Sequence, residues 1–191
     1  MDELQRAVRK LRTPNFQTIP KFVPQESLYK LITEDAVKRV LGSSIAKQHL
    51  QETVEAIVPG TRKIFAILVL SGTPDLITRF IEDDQLQQTN LDHRLPYSLD
   101  QLRKILPQDD AVDCFYERQW EFTAPIFSGK LISRYLDDQT ILPFIHCKKI
   151  GHGGFGIVYE LTLHQDYCKF EHFAPNGVRT VFWLSLRTLV C

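Results

Sequence analysis

Four of the nine glycines in this chain lie within six consecutive positions of the segment IGHGGFGIVYEL, which runs from Ile150 to Leu161. Gly151, Gly153 and Gly156 follow the spacing G-x-G-x-x-G. Glycine is required where the backbone turns tightly or approaches a phosphate too closely for a β-carbon. The spacing therefore predicts either a phosphate-binding loop or a tight hairpin turn, since glycine at positive φ also suits a hairpin.

The residues around the glycines distinguish between the known phosphate-binding loops. A dinucleotide-binding loop is followed by a helix whose N-terminus receives the pyrophosphate, whereas the residues here alternate and are rich in β-branched side chains. A Walker loop requires Gly-Lys-Ser or Gly-Lys-Thr, and neither occurs in the chain. The glycine cluster is therefore expected to join two strands, over about residues 144–150 and 157–163.

The full string from Ile150 to Tyr159, I-G-x-G-x-F-G-x-V-Y, resembles the glycine-rich loop and first two strands of the eukaryotic protein kinase family. This resemblance covers about residues 141–165, and VYELTLHQDY with the helical region before it also resembles kinase-domain proteins of filamentous fungi. The resemblance implies ATP as ligand, with Mg²⁺ needed only in a full-length kinase. The residues that it assigns to ATP binding are Ile150, Gly151, His152, Gly153, Gly154, Phe155, Gly156 and Val158.

The same resemblance implies different roles within this set. The three spaced glycines would cover the phosphates with backbone amides, Phe155 would occupy the loop tip, and Ile150 and Val158 would pack over the adenine. His152 stands at a variable position of the motif, where its side chain faces either solvent, which is favoured, or a phosphate. The resemblance therefore implies a site in which backbone amides bind the phosphates and apolar side chains pack over the adenine.

Phosphotransfer is not expected from these residues, because the motifs that carry it are missing. A working kinase needs a third-strand lysine, a helix glutamate, a catalytic aspartate and a metal-binding aspartate, and neither H-R-D nor D-F-G occurs here. LSLR would place Ser185 and Arg187 at the alanine and lysine positions, but a planar guanidinium does not replace a compact ammonium, and Arg187 fits an ordinary strand equally well. Residues from Val178 onward differ in character from those before them, and a translated intron or frameshift is one hypothesis that sequencing of the spliced messenger would test.

Thiols and imidazoles provide no recognisable metal or nucleophile site. The four cysteines have no CxxC or CxxH spacing, so neither a zinc site nor a disulfide framework is predicted. His164, Cys168 and His172 would share a face only on a helix, and the aromatic, turn-rich composition around them favours loops. The cysteines are Cys114, Cys147, Cys168 and Cys191.

Charge and hydropathy exclude several classes of partner. With 23 basic and 23 acidic side chains, the chain has no overall field that favours nucleic acid or an anionic membrane. Its apolar windows IFAILVL and VFWLSL are too short to span a bilayer, and no basic start leads into an apolar run as in a secretory signal. We therefore expect a soluble intracellular protein, cytoplasmic by default, whose partner is ATP rather than nucleic acid or membrane.

Helical periodicity covers most of the residues before the glycine cluster. Residues 2–11 are amphipathic, and Thr33, Ser44 and Ser98 precede apolar-periodic stretches as N-caps. TRKIFAILVLSG fits either a buried strand or the central helix of a bundle, and the helical patterns on both sides favour the helix. Three prolines in TPNFQTIPKFVP predict an extended segment.

These patterns predict an α+β chain in which a helical N-terminal bundle precedes an incomplete antiparallel β kinase N-lobe. The competing function is that of a non-enzymatic interaction or regulatory protein, in which the helical region binds a protein partner and the kinase segment is vestigial. The predicted divisions are an N-terminal arm at 1–24, a helical region at 25–106, a linker at 107–140 and the partial kinase N-lobe at 141–191.

Overall fold

The computed structural model contains two units, one formed by Met1–Arg12 with Val23–Thr123 and the other by Thr13–Phe22 with Ala124–Cys191. The structure describes residues 2–15, 20–84, 90–128, 136–153, 156–169 and 178–184, and only the backbone at residues 2, 152–153, 156–158 and 178–184.

Eight α-helices are described, all of them in the first unit. Short 3-10 helices follow at Pro74–Leu76, Leu91–Arg94 and Trp120–Phe122. The α-helices are α1 Asp2–Leu11, α2 Gln25–Leu31, α3 Glu34–Leu41, α4 Lys47–Gly60, α5 Arg62–Ser71, α6 Ile77–Asp83, α7 Leu99–Ile105 and α8 Asp109–Gln119.

Helix α5 is the centre of this unit. Seven consecutive side chains, from Ile64 to Leu70, are buried, and helices α1, α2, α4, α6 and α8 pack against it. A helix that is apolar on every side requires neighbours on every side. The prediction of a central helix for TRKIFAILVLSG is therefore confirmed, and Gly72 ends α5 in the left-handed conformation at φ 83°.

Two of the three predicted N-caps are confirmed. The hydroxyl of Thr33 accepts a hydrogen bond from the Ala36 amide at 3.3 Å, and Ser98 forms a reciprocal capping box with Gln101. The prediction for Ser44 is wrong, because α4 begins only at Lys47. The Ser44 amide donates instead to the Leu41 carbonyl at 2.9 Å, in the turn that follows α3.

The N-terminus of α5 is capped by a residue that lies far away in the sequence. Its own N-cap residue, Thr61, makes no side-chain cap hydrogen bond. The carboxylate of Asp92 accepts hydrogen bonds from the Lys63 amide at 3.0 and 2.9 Å and from the Ile64 amide at 3.1 Å. Burial raises the pKa of Asp92 to about 6, although these amides and the Lys63 ammonium act to lower it.

Helix α8 lies within the predicted linker 107–140 and is part of the helical unit. Its buried face includes Phe115 and Gln119. The Gln119 side chain accepts from the Tyr97 amide at 2.7 Å and donates to the Tyr97 carbonyl at 2.9 Å. The helical unit therefore extends beyond the predicted boundary at residue 106, because α8 packs against α5 and α7.

Helix α1 likewise belongs to the helical unit rather than to a separate arm. Leu4 and Val8 are buried in its core. Arg12, at the end of the helix, forms a bidentate pair with Glu121, with both N–O distances at 2.7 Å. The predicted arm 1–24 therefore divides between the two units, since only residues 13–22 belong to the second.

The second unit is built from short strands, so the α+β class is confirmed. Strands β1 and β2 pair antiparallel, β3 and β6 pair parallel, and β4, β5 and β7 form an antiparallel sheet in that order. Proline-rich residues 13–22 are extended at both ends, as predicted. The strands are β1 Thr13–Pro14, β2 Lys21–Phe22, β3 Phe127–Ser128, β4 Phe144–Gly153, β5 Gly156–Leu163, β6 Cys168–Lys169 and β7 Val178–Leu184.

Candidate functional site

The glycine cluster joins β4 and β5, the longest strands that the structure describes. Gly151 is paired with Val158, His152 with Ile157, and Gly153 with Gly156. The two predicted strands are confirmed, but Gly151, Gly153 and Gly156, which were expected in a loop between them, belong to the strands themselves. Two of the predicted site residues, Gly154 and Phe155, lie outside the described residues.

One face of the hairpin is anchored in the core of its unit. Tyr159, Leu161 and Leu163 are buried on β5, whereas Glu160 and Thr162 between them are half-buried. This alternation was predicted from the sequence and follows from the two-residue period of a strand. The buried face therefore holds the β5 part of the hairpin in the core of its unit.

Two irregularities in β4 leave apolar side chains exposed. The pairing with β5 shifts between Phe144 and His146 and again between Lys149 and Gly151. Ile145 and Ile150, the residues at these shifts, have no cross-strand partner and are 44% and 49% exposed. Ile150, which the kinase resemblance assigns to the adenine, is therefore accessible to a ligand.

Gly151 has no structural reason to be glycine within the described residues. Its φ does not fall in the left-handed region, and a β-carbon built on it would meet nothing within 4 Å. Glycine in a strand costs about 0.5–1 kcal/mol of stability relative to alanine. Glycine in a strand often marks a bulge, such as the one at Ile150, or a position that a ligand or another backbone approaches closely.

Two lysines lie on β4 close to the glycine end of the hairpin. The side chains of Lys148 and Lys149 are exposed. Lys148 stands opposite Glu160 in the sheet register, yet neither lysine forms an ion pair with a described residue. An anionic group near the glycines would therefore meet two ammonium groups that no described residue neutralises.

The third strand of the sheet, β7, ends at Leu184, where the LSLR segment begins. Strand β7 pairs with β5, so that Trp183 stands beside Val158 and Leu184 beside Ile157. The backbone therefore brings Val158 between Gly151 and Trp183. Ser185 and Arg187, the residues aligned with the kinase alanine and lysine, lie outside the described residues.

The histidine and cysteine cluster near β6 is a packing feature. No group of three His, Cys, Asp or Glu side chains in the described ranges could hold a metal ion, and His172 lies outside them. The His164 ring packs edge-on against Phe22 and Tyr167, with centroids 5.5 and 6.1 Å away. Desolvation lowers the pKa of His164 against the opposing effect of Asp166.

No protein-family model, curated protein or solved structure matches this chain. Among the helices that the structure describes, none is both long and apolar enough to cross a membrane. The chain is therefore an α+β protein that has one helical unit and a second unit built around an antiparallel sheet.

Proposed function

We propose that this chain is the N-terminal part of a protein kinase-like protein and that the β4–β5 hairpin binds the phosphates of ATP. The amides of the glycine segment would donate to the phosphate oxygens, and Ile150 with Val158 would contact the adenine, as the resemblance implies. Phosphotransfer does not follow, because the chain has no H-R-D or D-F-G motif. The proposed activity is nucleotide binding alone.

The strongest support for this proposal is the presence of glycine at position 151. Neither the backbone conformation nor the packing of Gly151 requires glycine, and this residue lies near the end of β4, at the first position of the kinase-like spacing. An approaching phosphate would use the space that a β-carbon would occupy. Ile150 is exposed, and Lys148 and Lys149 form no ion pair with any residue that the structure describes; both observations support a ligand with an apolar and an anionic part at this end of the hairpin.

Binding is expected to be weak, because the kinase resemblance covers only one side of a nucleotide cleft. We expect a dissociation constant of about 1 mM, which corresponds to a binding free energy of about −4 kcal/mol. Two-dimensional ¹H–¹⁵N NMR of the full chain can detect such binding at individual amides. ATP should shift the amides of Gly151, Gly153 and Gly156, and adenosine at the same concentration should not.

Gly151→Ala separates binding from folding. Its β-carbon enters open space, so the midpoint of urea unfolding should remain at or slightly above that of the wild type, while ATP affinity falls at least about fivefold, or ~1 kcal/mol. His146→Ala is the matched control, since this exposed residue lies on the same strand about 17 Å from Gly151. Equal ATP affinity in the wild type and Gly151→Ala, or glycine amides that do not respond to ATP, would contradict the proposal.

A further inference from the structure

A groove with a volume of about 610 Å³ lies on the helical unit, between the N-terminal half of α4 and helix α6. This volume is within the range of known ligand sites. Three half-buried side chains form its apolar floor, namely Ile45, Leu76 and Ile81, and they rest on the core of the unit. The groove therefore offers accessible apolar surface on a supported base.

The rim of this groove is acidic. Glu52, Asp75 and Glu82 line it and are exposed. Asp75 and Glu82 form no ion pair with a described residue, and Glu52 contacts only the His49 imidazole, at 3.7 Å. Arg79 is the single guanidinium in the lining, so three carboxylates face one permanent cation.

We propose that this groove binds a basic amphipathic helix of a partner protein. An apolar stripe with i, i+3, i+4 spacing would cover the floor, and flanking lysine or arginine side chains would neutralise the rim carboxylates. Nucleic acid and anionic membranes carry the wrong charge for this rim. A second copy of the chain offers no free helix of this kind among its described residues, because the apolar face of its basic helix α1 is buried at Leu4 and Val8.

All the lining residues belong to the helical unit. The proposal therefore stands independently of ATP binding at the glycine hairpin, and each can fail without the other. It specifies the chemistry of the partner for the helical region and assigns it to one surface.

The probe is a fluorescein-labelled peptide of about 14 leucine and lysine residues patterned as an amphipathic helix, long enough for about four turns. Its twin has glutamate in place of every lysine. Fluorescence anisotropy with the full chain should show binding of the lysine peptide and none of the glutamate peptide. Higher salt should weaken the binding, because the rim charges are exposed.

Charge reversal locates the site. The double variant E52K/E82K should lower the affinity for the lysine peptide at least about tenfold. D113K/E117K, an equal change of net charge on the exposed side of α8, should retain it within about twofold. Both variants change exposed residues, and circular dichroism should show wild-type helix content in each.

Four results would overturn the proposal. The first is that the lysine peptide does not bind, and the second is that its glutamate twin binds equally well. The third is that both double variants lose affinity to the same extent. The fourth is that sedimentation detects self-association in the wild type but not in E52K/E82K. The third would mean that the peptide senses only net charge, and the fourth that a second copy covers the groove.

Discussion

Replacing Asp92 with asparagine should change how the stability of this protein depends on pH. The Asp92 carboxyl is 8% exposed and holds the Lys63 and Ile64 amides at the N-terminus of α5. Asparagine has nearly the same shape and retains one oxygen that accepts from these amides, but it never carries a charge. The difference in stability between the wild type and Asp92→Asn at each pH therefore reports the free energy of ionising this buried carboxyl.

The expected magnitude follows from the pKa of Asp92, which burial raises from 3.8 to about 6. The native state therefore binds a proton at pH values where the unfolded chain has already lost it. Stability from this group is fully present below pH 3.8 and is lost as the pH rises through about 6. At 1.36 kcal/mol per pKa unit, the loss amounts to about 3 kcal/mol, a large part of the 5–15 kcal/mol typical of a domain.

Urea unfolding at several pH values between about 4 and 8, followed by circular dichroism, measures this effect. The free energy of unfolding of Asp92→Asn minus that of the wild type should rise by about 2.4 kcal/mol across this range, most of the total. Asp100→Asn, on the exposed first turn of α7, is the matched control and should leave the difference flat. A flat or falling difference for Asp92→Asn would show that the amide hydrogen bonds outweigh desolvation.

Two further predictions concern the buried polar contacts of each unit. Gln119→Ala leaves the amide and carbonyl of Tyr97 without partners in the core and should cost about 2–4 kcal/mol in urea unfolding, whereas a cost below about 0.5 kcal/mol would mean that other groups replace the glutamine. The pKa of His164 is lowered in the folded state, so its stabilising contribution is present above pH 6.5 and is lost as the pH falls through that value. His164→Phe should remove this pH dependence from the free energy of unfolding. If the free energy of unfolding of His164→Phe still fell below pH 6.5 as it does in the wild type, the assignment to His164 would be refuted.

The elements that were predicted correctly depend on local signals. Thr33 and Ser98 cap helices through bonds that reach three residues along the chain, so spacing alone reveals them. The alternation of β5 and the glycines before it also lie within one short segment. By contrast, Ser44 satisfies the same composition rule as Thr33, but its amide bonds within the turn after α3 and the helix begins three residues later.

The sequence predicts a linker where the structure has α8, because the aromatic residues and prolines of this segment are stronger signals against a helix than its periodicity is for one. Val112 and Phe115 nevertheless lie three residues apart on its buried face, so the helical pattern was present in the sequence. The exposed bulge at Ile150 had no such signal. Its position depends on the pairing of β4 with β5 across the hairpin, which the residues of β4 alone do not specify.

The sequence by itself determined the helical character of the first unit, its local caps and the glycine hairpin of the second, because each depends on residues within a few positions of one another. Only the tertiary structure decided that Asp92 caps α5 from 28 residues away, that Ile150 is exposed beside Gly151, and that α4 and α6 enclose an acidic groove. These features arise where separate elements meet. Their energies depend on packing and burial, which no local spacing encodes.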